Sequence, residues 1–385
     1  MQLFDVYPLM NVTPERASGV YIWDNQGQKY LDLYGGHAVI SIGHSHPHYV
    51  HRISEQLKKL AFYSNSVKIP LQSEMALKLG KLSGYESYKL FLCNSGAEAN
   101  ENALKLASFE TGKSGIIAFK GAFHGRTSGA VAITDNPKIV APFNNGHKVF
   151  FEALGDLEAV EQKLKAGDIA AVIIEGIQGV NGIQVAEADF LSGLSGLTKK
   201  YGAKLILDEV QSGYGRTGKF FAHQWTKDLS PDLITIAKGM GNGFPIGGVL
   251  IHPDIEAKYG LLGTTFGGNH LACAAGLAVL EVLEDENLTS NALKQGEYLM
   301  QTLQQEFPEL PSVRGKGLMV GFDLREEAAG YRSDLVNKHH IFTGSAASKN
   351  TIRILPPLCV SKNELQLFLE RLREVINSKK TLIIS

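Results

Sequence analysis

The sequence predicts an α/β protein, with a mostly parallel sheet in a large domain and a smaller α+β domain beside it. Three observations carry this. Runs such as Ile169-Ala170-Ala171-Val172-Ile173-Ile174 are apolar at every position, as strands buried on both faces are. Such runs alternate with stretches of helical spacing, the pattern of strand–helix–strand units. Beyond about residue 276 the texture changes, and helix-like stretches at 289–307 and 361–379 bracket strand-like ones at 318–324 and 351–355.

Taken in order, Val20–Trp23 and Lys29–Leu33 flank the polar, glycine-containing Asp24–Gln28, which reads as a β-hairpin. Tyr34–His37 reads as a loop. Pro47 opens a helix running to about Phe62. Leu71–Leu82 has helical spacing and Gly84 stops it. Tyr88–Cys93 reads as a strand, and the helix that follows runs to about Phe109. Gly115–Phe119, Lys204–Asp208, Leu233–Ile236 and Ile246–Ile251 are further strands, and Phe190–Tyr201 is a helix closed by Gly202. A small-residue helix spans Leu271–Glu284. The boundary near 276 gives a large domain over residues 45–275, with 1–44 and 276–385 forming the small domain from both chain ends. The C-terminal Leu382-Ile383-Ile384 is too short to anchor the chain.

The 385 residues are 44% hydrophobic and 20% charged, a globular composition with material for a large core. A net charge of −1 with mixed signs marks no nucleic-acid or anionic-membrane surface. Cys93, Cys273 and Cys359 have no metal or redox spacing, and so sparse a set suits a reducing cytoplasm. Met1–Met10 carries Asp5 and no basic segment before an apolar block, so no signal peptide is expected. No apolar run reaches membrane-spanning length. His44, His46, His48 and His51 invite a metal reading, but no Cys or acidic ligand accompanies them and two fall on the helix after Pro47. No metal site is expected. Gly241-x-Gly243 followed by Gly247 misses the Gly-x-Gly-x-x-Gly spacing, no strand–helix unit with a downstream ribose acid frames it, and no Walker-type loop is present, so nucleotide binding is weakly supported.

The chemistry concentrates in two strand ends. Leu233-Ile234-Thr235-Ile236-Ala237 runs into Lys238, and Gly239-Met240-Gly241-Asn242-Gly243 follows. A lysine at the lip of a core loses part of its charge preference to desolvation and becomes a nucleophile near neutral pH. Alone, it could equally be an ordinary lysine after a strand. Lys204–Leu207 ends in Asp208, where no cap or turn demands an acid. Pyridoxal phosphate (PLP) needs both groups: an amine for its aldehyde and a carboxylate for its pyridinium nitrogen. Strand ends of open α/β sheets are where ligands bind. Ser95 with Glu98 has capping-box spacing, and free amides at that helix start suit a phosphate. Phe123 could stack on a ring, and Arg126 could hold a carboxylate.

Asn94-Ser95-Gly96-Ala97-Glu98-Ala99-Asn100, Phe123-His124-Gly125-Arg126-Thr127, Asp208-Glu209-Val210-Gln211, Ala237-Lys238-Gly239 and Thr264-Thr265-Phe266-Gly267-Gly268-Asn269 occur in one order. In this the chain resembles the class-III PLP-dependent aminotransferases, in the acetylornithine, succinylornithine and ornithine branch. The resemblance covers nearly the whole chain, from Trp23-Asp24 to Arg353-Ile354-Leu355-Pro356. It implies the aspartate-aminotransferase-like fold, fold type I of the PLP-dependent transferases, and PLP as cofactor. It implies that Lys238 bonds the cofactor aldehyde and shuttles a proton, and that Asp208 pairs with the ring nitrogen. Gln211 would lie near the ring hydroxyl, Ser95, Gly96 and Ala97 on the phosphate, and Phe123 over the ring. Thr265 would reach the phosphate of a neighbouring subunit, which makes the unit a homodimer with shared sites. Arg126 and Thr264 would contact substrate, and Arg353 the α-carboxylate of glutamate.

The implied reaction moves the δ-amino group of N2-acetyl-L-ornithine to 2-oxoglutarate, in arginine biosynthesis. N2-succinyl-L-ornithine and other ω-amino acids, ornithine or γ-aminobutyrate, are the alternatives. Two departures stand out. Gln178-Gly179-Val180 replaces the family's usual Gln-Gly-Glu, so the glutamate that would mask Arg353 is missing. His37 stands where the branch tends to carry Tyr or an apolar residue, and it could meet an extra acidic group on the substrate. It could equally be a packed loop histidine.

Overall fold

The computed structural model describes residues 1–384, with side chains described through Lys380. The side chains of Leu382, Ile383 and Ile384 therefore lie outside the described residues.

Seven strands form the main sheet, in the spatial order Lys89–Cys93, Gly247–Ile251, Leu233–Ile236, Lys204–Asp208, Ile169–Ile174, Gly115–Phe119 and Val149–Glu152. Only Gly247–Ile251 runs against its neighbours; the others that pair directly are parallel. Every residue of the 115–119, 169–174, 233–236 and 247–251 strands is buried. Helices cover both faces, and the strand period of two sorts the side chains between them. Ile206 packs on one face with Ala99, Ala103 and Ala107 of helix Gly96–Thr111. Leu205 and Leu207 point the other way, to Phe190, Leu191 and Leu194 of helix Ala188–Tyr201. The alanine stripe lets the first helix lie close to the sheet. Its N-terminus then sits at the strand ends rather than above them.

The chain ends build two smaller sheets. Pro14–Ser18, Tyr21–Asp24 and Lys29–Asp32 form an antiparallel meander, and Ile341–Phe342 joins its edge in parallel. Ser312–Lys316, Met319–Asp323, Thr351–Ile354 and Gly344–Ser345 form the other. Helix Leu288–Glu306 and helix Lys362–Ile384 pack on this module, as does helix Ala328–His339. That last helix escaped the sequence reading because its buried apolar side chains are few: Tyr331, Leu335 and Val336 beside Ala328. Helix Leu157–Lys165 and the strands at 14–18, 149–152 and 312–316 also went unassigned. Gly276 lies inside helix His270–Asp285, which continues unbroken through it and packs on helices Pro47–Lys59 and Pro70–Ser83. Three of the four clustered histidines meet three different acids: His44 with Asp32 at 2.8 Å, His46 with Glu286 at 2.8 Å and His48 with Glu281. Among the described residues no group of three metal-type ligands converges.

One side chain fixes the N-terminal loop against the Lys238 turn. Asn242 is buried and left-handed (φ +47°), a conformation asparagine tolerates better than most residues. Its Oδ1 accepts from the amides of Ser41 (2.8 Å) and Ile42 (3.1 Å), and its Nδ2 donates to Gly43 O at 2.9 Å. Ser41 Oγ donates to Gly239 O at 2.7 Å, closing the clamp. Asn242→Ala removes three buried hydrogen bonds and leaves alanine at a positive φ, so it should cost about 3 kcal/mol or more in urea unfolding. Asn242→Gly, which accepts that φ, should fall between the two proteins.

Candidate active site

Glu175, Asp208 and Lys238 stand at the carboxyl ends of three neighbouring parallel strands and line one cavity of about 340 Å³. Ser95, Gly96, Ala97, Phe123 and Gln211 line it too.

Asp208 is 4% exposed and held from three sides. Its Oδ2 accepts from His124 Nδ1 at 2.7 Å and from Asn100 Nδ2 at 2.8 Å, and its Oδ1 accepts from Val210 N at 3.0 Å. Both side-chain donors are themselves buried. An acid so surrounded is fixed in direction, and Oδ1 has spare lone-pair capacity.

Lys238 opens a short 3₁₀ turn with a left-handed backbone (φ +44°). A bulky residue there is a strained one, held by the structure around it. Its side chain is half-buried, facing the cavity. Burial pulls its amine below the usual lysine range; the negative charges of Asp208 and Glu175 oppose that fall and Arg353 adds to it.

The helix start at Gly96 supplies the opposite end of the cavity. Ser95 is the cap and its Oγ accepts from Glu98 N at 3.2 Å. Glu98 reaches back to Asn94, accepting from its backbone N at 2.8 Å and its Nδ2 at 2.9 Å. The amide of Glu98, the third helical residue, is thus spoken for, while those of Gly96 and Ala97 stay at the positive end of the helix. Gly96 also has to be glycine: a Cβ there would come within 2.6 Å of Val210 Cγ1.

Glu175 was not singled out from the sequence. Its Oε1 accepts from Phe123 N at 2.9 Å and its Oε2 from Gly179 N at 3.1 Å. Burial is the main cause that raises its carboxyl above the usual range, with Asp208 adding to it and His124 opposing. The signal was available: Glu175 ends an apolar run just as Asp208 does. His124 and Asn100 lie inside the family motifs, but nothing in those motifs announces that both side chains meet on Asp208.

Arg353 is 4% exposed. It donates through Nε to Ser345 O and through Nη2 to Tyr34 Oη at 3.2 Å, while its buried Nη1 has no partner. Tyr34 also carries His37, ring centroids 4.7 Å apart. His37 is exposed, left-handed (φ +70°), and its carbonyl accepts from Gln211 Nε2 at 3.1 Å. Burial lowers its pKa first, and the positive charges of Arg353 and Lys238 lower it further.

Five expected residues are not among those lining this cavity: Arg353 and His37, and also Arg126, Thr264 and Thr265. Arg126 is exposed just past Gly125. Thr264 borders a separate cleft with Asn65 and Gln72, and its Oγ1 accepts from Asn94 Nδ2 (3.3 Å) and Gly267 N (3.1 Å). Thr265 is exposed next to Phe266, which is 59% exposed.

The residues present fit PLP. A carboxylate held for a ring nitrogen, an amine of depressed basicity, two helix-end amides for a phosphate and an aromatic wall face one space. Buried His124 Nε2 and Gln211 Oε1 have no partner within the protein.

Residues 5–376 match the family described as aminotransferase class-III. The acetylornithine aminotransferase of Archaeoglobus fulgidus is 41% identical over 94% of this chain and 95% of its own. That of Bacillus subtilis is 39% identical over 97% of each. Among solved structures, the ornithine aminotransferase of Toxoplasma gondii ME49 superposes with a TM-score of 0.90 at 26% identity, covering 97% of this chain and 92% of its own. The acetylornithine aminotransferase of Elizabethkingia anophelis gives 0.83 at 31% identity, covering 97% and 95%. Amine, acid and phosphate cradle, set in this fold, belong to one chemistry, and the chain is a member of the class-III aminotransferases, PLP-dependent enzymes of fold type I.

Proposed function

We propose that this enzyme moves the δ-amino group of N2-acetyl-L-ornithine to 2-oxoglutarate, giving N-acetylglutamate semialdehyde and glutamate. The observation that carries it is a buried guanidinium, Arg353, with a free Nη1, close enough for its charge to act on Lys238 and for that of Glu175 to act on it. An uncompensated buried cation is costly unless an anion completes it, and glutamate and 2-oxoglutarate bring a carboxylate close to the reacting carbon. Relatives named as acetylornithine aminotransferases, 35–41% identical over nearly the full chain, support the choice of donor.

PLP supplies an electrophilic carbon and an electron-storing ring. The chain's residues do the rest. Asp208, fixed by His124 and Asn100, would be the partner of the ring nitrogen. The amides of Gly96 and Ala97 would hold the phosphate, Gln211 would serve the ring hydroxyl, and Phe123 would cover the ring. Lys238 Nζ, of depressed basicity, would be the group that takes up and returns the proton at the reacting carbon. Arg353 holds the α-carboxylate of glutamate. Arg126 and His37, outside it, take the more distant carboxylate of the acylornithine.

The exposed position of His37, on Tyr34 and near two cations, favours a second reading with N2-succinyl-L-ornithine, whose tail ends in a carboxylate. Other ω-amino acids come third. With no acid hydrogen-bonded to Arg353 among the described residues, and Val180 offering only its carbonyl to Ala347 N (2.8 Å), the arginine stays available in both halves of the reaction.

We further infer a homodimer, in which the exposed Thr265 of one subunit serves the phosphate of the next. Exposed Phe266, in ring contact with Phe62 (5.4 Å), suits a buried interface there. The reaction belongs to arginine biosynthesis in the cytoplasm, in keeping with three unpaired cysteines. The division into a large domain over 45–275 and a small one from 1–44 and 276–385 belongs to the same reading, supported by the pairing of Leu31 with Ile341.

Lys238→Ala should lose the borohydride-stable attachment of PLP seen by mass spectrometry; retention would remove Lys238 from its role. Capture of PLP by the cofactor-free enzyme needs the neutral amine. Its rate should therefore rise with pH and level off below the range where an ordinary lysine loses its proton. Arg126→Ala should raise KM for the acylornithine about tenfold or more while leaving that for glutamate nearly unchanged; equal losses with both donors would contradict the assignment.

A further inference from the structure

We propose that Glu175 is a positioning residue that sets the slot for the cofactor ring by tying two of its walls together. The inference rests on the PLP reading above and extends it to a residue outside the expected set. Glu175 follows the last residue of the strand Ile169–Ile174, next to Asp208, because Ile174 pairs with Leu207. Its two carboxylate oxygens serve two different loops. Oε1 takes Phe123 N (2.9 Å) from the loop after strand Gly115–Phe119, and Oε2 takes Gly179 N (3.1 Å) from the turn after Gln178. No ion pair competes for either oxygen among the described residues.

The turn at Gly179 transmits the hold further. A Cβ at 179 would fall 1.8 Å from Gln211 Oε1, so the backbone there lies against that side chain. Gln211 in turn donates to His37 O at 3.1 Å. One carboxylate thereby connects the Phe123 wall, the Gln211 side chain and the rim at His37. The charged groups acting on Glu175 are His124 and Asp208, and its own charge acts on Lys238 and Arg353. Amides donating to a carboxylate make stronger bonds than amides donating to a neutral oxygen. The strut is therefore firm while Glu175 is ionised and slackens when it is protonated.

Two variants separate reach from charge. Glu175→Gln keeps the length but puts an NH₂ opposite one of the two amide donors. Glu175→Asp keeps the charge but is one methylene too short to serve both loops. Each is prepared free of cofactor, titrated with PLP, and followed by absorbance and by the visible circular dichroism that the bound ring acquires. Thermal unfolding of the cofactor-free proteins runs alongside. Both variants should bind PLP about tenfold more weakly or worse, the loss expected for one charge-assisted hydrogen bond. Their dichroism per bound PLP should also change, which a general loss of stability would not produce. The proposal is overturned if either folded variant retains wild-type affinity and dichroism; for Glu175→Asp that result would mean charge alone matters. A wild-type chain that takes up no PLP would instead overturn the cofactor reading, so the two failures are distinct.

Discussion

Everything in this site depends on the carboxylate of Asp208 being pinned. A buried acid held by one donor could swing; three donors from three elements leave it one direction. Asn100 comes from the first long helix on the sheet, His124 from the loop after strand Gly115–Phe119, and Val210 from the turn that follows Asp208 itself. The alanine stripe of helix Gly96–Thr111 is thus as much a part of the chemistry as the acid. It lets the helix come close enough for Asn100 to reach Asp208 and for the helix start to face the same cavity.

Around that acid the site is a set of opposed charges in a desolvated space. Lys238 and Arg353 are positive, Asp208 and Glu175 negative, and burial works against the charged form of Lys238, Arg353 and Glu175 alike. The balance makes the lysine a weaker base than usual without stripping the cavity of anion-binding character. Arg353 is held in place by Ser345 and Tyr34 while keeping one nitrogen free. Among the described residues no acid is hydrogen-bonded to it, so its hydrogen-bonding shell is neutral.

Much of this was legible in the residues. Fully apolar runs ending in Asp208 or Lys238 give the strand ends away, and the Ser95–Glu98 spacing marks the helix start. The sheet order and the antiparallel Gly247–Ile251 were not legible, because pairing partners leave no mark in a run that is apolar throughout. Glu175 was missed although it ends such a run, since its partners are two backbone amides, which every sequence has. The helix at 328–339 was missed because its inward face is short. Thr264 illustrates a different limit: the motif does not show that its Oγ1 accepts from Asn94 and Gly267 within the chain, leaving its O–H free to donate.

The parallel pairing of Leu31 with Ile341 has a consequence for how the molecule is made. About 310 residues separate the two, so the hairpin at the chain start leaves the ribosome long before its outer neighbour exists. Until then its free rim is an unsatisfied template for another strand. The newborn protein therefore passes most of its synthesis with that flank uncovered.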